Sequence, residues 1–117
     1  MRKICACITA IMFLFSNIAV AYNSPEEAKA DAFSKIKVSA SLMEQAQKIL
    51  SFNPNRERIT TAMDLYIQAG KGFEEALNVF KALGEEYVTQ EDLQGCAMAL
   101  QNCLYAIAKC KELLDKL

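Results

Sequence analysis

The sequence predicts an all-α protein, an antiparallel up-down-up bundle of three helices. Three observations carry this. Apolar residues recur at alternating spacings of three and four from Phe33 to the C-terminus, the mark of one helical face. Only two stretches interrupt that rhythm, one around Pro54 and one around Gly84. No segment alternates with the two-residue period of a strand. The three predicted helices come out at about 40 Å each at the usual rise per residue, and matched lengths with short connections favour antiparallel neighbours.

The segment before the first helix reads as an export signal. Arg2 and Lys3 precede an almost uninterrupted apolar run from Ile4 to Val20, and Ala19-Val20-Ala21 has the small-x-small pattern that signal peptidases cut behind. Residues 1–21 are therefore expected to be a cleaved signal peptide. Residues 22–117 then form one domain in the periplasm or outside the cell, with no membrane contact after cleavage. The competing reading is an uncleaved anchor, since the run is about long enough to cross a bilayer. Ser16 and Asn17 within it argue for cleavage.

The first helix should begin at Ser24, where Ser24-Pro25-Glu26-Glu27 fits a capping box with proline at the first helical position. Its apolar stripe is Phe33, Ile36, Ala40, Met43, Gln47 and Leu50. Asn53-Pro54-Asn55 ends it, because proline disfavours helix at the residue before it.

The second helix carries Ile59, Met63, Tyr66, Gly70, Phe73, Leu77 and Phe80 on its stripe, with Gly84 as a natural C-cap. Ala62, Ala69 and Ala76 recur beside the stripe, and small residues there would let another helix come close. Gly70-Lys71-Gly72 is its weak point, since an interior glycine costs about 1 kcal/mol relative to alanine. The apolar phase runs through it unbroken, so one helix, bent at most, is the favoured reading over a break.

Thr89 can cap the third helix, with Glu91 and Asp92 in a first turn where the helix dipole favours negative charge. With Leu93 at position a of a heptad, positions a, d, e and g are apolar down to Leu117 except for Lys111. This stripe, which includes Leu100, Leu104, Ile107 and Leu113, is wider than a three-helix seam requires. Met98 and Tyr105 lie on the remaining face and are of the types enriched at interfaces. The third helix is therefore expected to face a partner, either a second copy or another exported protein.

One stretch of the second helix resembles a tetratricopeptide repeat hairpin: Tyr66, Gly70, Ala76 and Phe80 follow that repeat's Y…G…A…F pattern. Gly70 to Ala76 is one residue too long, and Leu83 stands where the repeat has alanine. The resemblance covers a single copy and implies protein binding.

Chemistry is sparsely provided for. The chain has no histidine, which removes the commonest general base and metal ligand. Loss of Arg2 and Lys3 with the signal would take the net charge from −1 to −3, with no basic stripe for nucleic acid. No phosphate-binding loop or nucleophile elbow is present, so no enzyme and no cofactor is expected. Of five cysteines, Cys5 and Cys7 belong to the signal segment. Cys96, Cys103 and Cys110 share one face of the third helix, about 10.5 Å apart along its axis, beyond the reach of a disulfide. They are expected to be buried small hydrophobes. The alternatives are a disulfide to a second chain, or a soft metal such as Cu(I) with Met43 or Met63 as thioether ligand. Finally, Arg56 and Arg58 sit at a helix start, where positive charge is unfavourable, and are candidate contacts on that ground.

Overall fold

In the computed structural model, residues 24–117 are described; the expected signal segment and its cleavage site lie outside them. Three helices follow one another, α1 (Pro25–Ser51), α2 (Arg56–Leu83) and α3 (Gln90–Asp115), with no strand among the described residues. The connections 52–55 and 84–89 are short, so consecutive helices run antiparallel. Both outer helices pack along α2 and make little contact with each other. No described helix is long and apolar enough to cross a membrane.

Local chemistry sets each boundary. The Ser24 hydroxyl accepts the Glu27 amide at 3.1 Å, with Pro25 opening α1. Asn55 caps α2 through the Arg58 amide at 2.9 Å, and Thr89 caps α3 through the Asp92 amide at 3.1 Å. α2 stops at Gly84, whose φ of 79° and ψ of −178° suit only a residue without Cβ. A Cβ there would meet no atom within 4 Å, so the cost of Gly84→Ala is purely conformational. That variant is expected to lose about 1–3 kcal/mol of stability, read as a lower midpoint in urea.

The α1–α2 seam is built from small residues, which corrects the expected burial of α1. Its buried positions are Ala28, Ala32, Ser39 and Ala46. Of the predicted stripe, Phe33, Ile36, Met43 and Leu50 are half-buried, and Ala40 and Gln47 are exposed. The reason is close approach. Ala62, Ala69 and Ala76 of α2 are each fully buried, and two rows of small side chains let the backbones draw together. The bulky residues of α1 then flank the seam instead of filling it.

The glycine pair does not break α2, which is helical throughout. Gly72 faces α1, where a Cβ would collide with the Ser39 hydroxyl. Gly70 faces α3, where a Cβ would stand 3.7 Å from the Cys103 Cβ and 3.9 Å from Leu100. Two residues apart on one helix, they turn to the two neighbours. The distances at Gly70 are ordinary contacts, so Gly70→Ala is expected to stabilise by up to about 1 kcal/mol and raise the melting temperature. The four residues of the tetratricopeptide resemblance all lie within this uninterrupted helix, without the turn a hairpin requires.

Two apolar clusters fill the interior. One gathers Phe73, Leu77 and Phe80 with Val88, Cys96 and Cys103, and Phe33 reaches Phe80 at 5.1 Å between ring centroids. The other joins Ala46, Ile59, Ala62, Tyr66 and Cys110, and Met43 packs against both.

Candidate functional site

The third helix meets α2 through its cysteines. Cys96, Cys103 and Cys110 are 3%, 0% and 1% exposed, and they are its only buried residues. Recurring every seven residues, they form a nearly straight line, narrow enough that a Cβ added at Gly70 would meet the Cys103 Cβ only at ordinary contact distance. Leu93, Leu100, Ile107 and Leu114 are half-buried beside that line. Leu104, Leu113 and Leu117 are exposed, so the apolar stripe is wider than the seam that α3 makes with α2. A helix with a single neighbour buries one line; the flanks of a broad stripe stay in solvent.

The thiols are unpaired, and the Cys96 thiol donates to the Phe73 carbonyl at 3.2 Å. Burial raises the pKa of all three, that of Cys103 to about 11. Tyr66 is raised as well, chiefly by burial and then by the neighbouring thiols of Cys110 and Cys103. Neutral buried thiols are poor nucleophiles and poor metal ligands. Among the described residues no three His, Cys, Asp or Glu side chains come together around a possible metal position.

These shifts give stability a pH dependence of definite sign. In the unfolded chain the cysteines ionise around their ordinary value of 9.0, while in the fold Cys103 holds its proton to about 11. The unfolded state therefore binds fewer protons in that window, and stability falls as the pH rises through it. Thermal melts between pH 8 and 11 are expected to show the decline, and Cys103→Ala to flatten it. An unchanged slope in that variant would place the alkaline sensitivity elsewhere.

The opposite face of α3 is of another kind. Met98 is 63% exposed and Tyr105 65%, with the Lys109 ammonium 5.6 Å from the Tyr105 ring centroid. Leu104, 57% exposed, joins them on the surface. From Leu93 to Ala108 the helix carries no Asp, Glu, Lys or Arg on any face, a span of about four turns. The uncharged stretches of the other two helices extend no further than Val38–Met43 and Leu65–Gly70. An exposed helix normally carries charge on its solvent side. This charge-free run is the sequence signal that groups Leu104 with the open face.

Arg56 and Arg58 are exposed at the α1–α2 connection, on a different element from Met98 and Tyr105. The Arg58 guanidinium donates to the Phe52 carbonyl at 3.3 Å, which accounts for a positive side chain here by closure of the connection. Nothing in the structure explains Arg56. Compared with protein-family models, with curated proteins and with solved structures, the chain gives no match.

Proposed function

We propose that this chain is a small helical binding or assembly protein, exported by way of residues 1–21, that presents α3 to a protein partner, either a second copy or another exported protein. The observation that carries this reading is the exposure of Met98, Leu104 and Tyr105 on a helix stretch free of charge. Interface cores are depleted in charged residues and enriched in tyrosine and methionine, whereas an ordinary solvated helix face is not. The buried thiol line serves the same end by fixing α3 on α2 while its outer face stays open.

Met98→Glu and Tyr105→Glu are the test. Both residues stand clear of the core, so the variants should melt within about 0.5 kcal/mol of the parent. Association should weaken by about tenfold or more, because a charge without a partner is then desolvated. If they melt as badly as an Ile59→Ala core variant, the face is structural; if neither melting nor association changes, it is plain surface. Soft-metal carriage is the competing reading, suggested by the alignment of the three thiols. Cu(I) titration of the reduced protein separates the two: stoichiometric uptake lost in a Cys96/Cys103/Cys110 triple serine variant would favour carriage.

A further inference from the structure

We propose that the occupant of the α3 face is a second copy of this chain, paired antiparallel about a two-fold axis passing close to Gln101. The inference rests on the reading of α3 as an interaction surface and names its partner.

The argument is one of symmetry and charge. Residues three and four before and after Gln101 lie on its side of the helix, as do those seven away. They are Gln94, Ala97, Met98, Leu104, Tyr105 and Ala108, none of them charged and all but Ala97 exposed. A two-fold axis at Gln101 sets Met98 against Tyr105 of the second copy, a favourable thioether–aromatic contact made twice. The short Ala97 lies level with the same ring, leaving room for it.

The ends of the stretch decide the direction. Glu91 and Lys109 are about five whole turns apart, so they stand in line on one side of α3, with Met98 and Tyr105 between them. Antiparallel pairing brings Glu91 of each copy to Lys109 of the other. Parallel pairing would set Glu91 against Glu91 and Lys109 against Lys109. Among the described residues Glu91 forms no ion pair, and the one ion pair of Lys109 is a 4.0 Å contact with Glu112 on its own helix, beside its approach to the Tyr105 ring. Each end therefore has a complement available on the second copy.

Cysteine cross-linking of the purified protein with Cys5 and Cys7 replaced by serine tests the arrangement, since Cys96, Cys103 and Cys110 are buried and do not compete. Gln101→Cys should oxidise readily to a disulfide-linked dimer, because the two positions face each other at the axis. Gln94→Cys should not, as its two copies would stand about 20 Å apart along the helices. Equal cross-linking at Gln94 and Gln101 would mean parallel or unregistered pairing and overturn the inference. Sedimentation supplies the second measurement. Glu91→Lys and Lys109→Glu should each weaken the dimer by about tenfold, and the two together should restore it. A charge swap that fails to restore association overturns the assigned direction. A parent protein that sediments as a monomer, while Met98→Glu still abolishes capture of a different protein, overturns the second copy as occupant and leaves the interaction surface standing. A monomer in which Met98→Glu alters no association overturns both.

Discussion

Phe80→Ala is expected to remove about 3–5 kcal/mol of stability, the usual loss on truncating a buried phenylalanine. Phe80 is 1% exposed and meets the Phe33 ring at a tilt of 56°, in the wedge of the core that α1, α2 and the 84–89 connection all border. Alanine would lose the transfer energy of the ring and leave a void that three separate segments would have to close together. A domain of this size has about 5–15 kcal/mol in total, so the variant should unfold at far lower urea or fail to fold at body temperature. Leu100→Ala is the control. Leu100 is half-buried on the flank of the cysteine line, and its truncation should cost less than about 2 kcal/mol. Equal losses at the two positions would mean that α3 is held as tightly as the aromatic wedge, against the burial seen here.

Gly72→Ala should also destabilise, although helix propensity alone predicts a gain of about 1 kcal/mol. The new Cβ would run into the Ser39 hydroxyl, and Ser39, 2% exposed, has no solvent to retreat into. Overpacking of this kind costs about 1–3 kcal/mol. The sign should reverse in a Ser39→Ala background. The nearest atoms would then be the Ser39-position Cβ at 3.4 Å and the Lys35 carbonyl at 3.6 Å, both tolerable, and the propensity gain would emerge. A double-mutant cycle in urea reads this directly. Additive effects would show that the two helices do not meet at this pair.

The helix ends were open to sequence reasoning because they depend on neighbours in the chain. Ser24 before proline, Thr89 three residues before Asp92, and Gly84 after the last apolar residue each act within a few residues of themselves. The face of α1 was not open in the same way. Ala32, Ser39 and Ala46 carry little hydrophobic weight, and their burial follows from how near α2 can come, which Gly72 and the alanine row of the other helix decide. How much of the α3 stripe is buried was hidden for a related reason. A heptad position says which side of a helix is apolar but not how many neighbours that side has, and α3 has one. Met98 and Tyr105 are exposed, in keeping with their place off the stripe when Leu93 is position a.

The central place of α2 has a kinetic consequence. Since α1 and α3 each rest on α2 and hardly on one another, helix packing joins only elements adjacent along the chain. No loop longer than a turn has to close before contacts form, and proteins with such local topology fold in microseconds to milliseconds. A chain emerging from its amino end can complete the alanine seam of α1 and α2 before Gln90 is available, and α3 then adds to a surface already made.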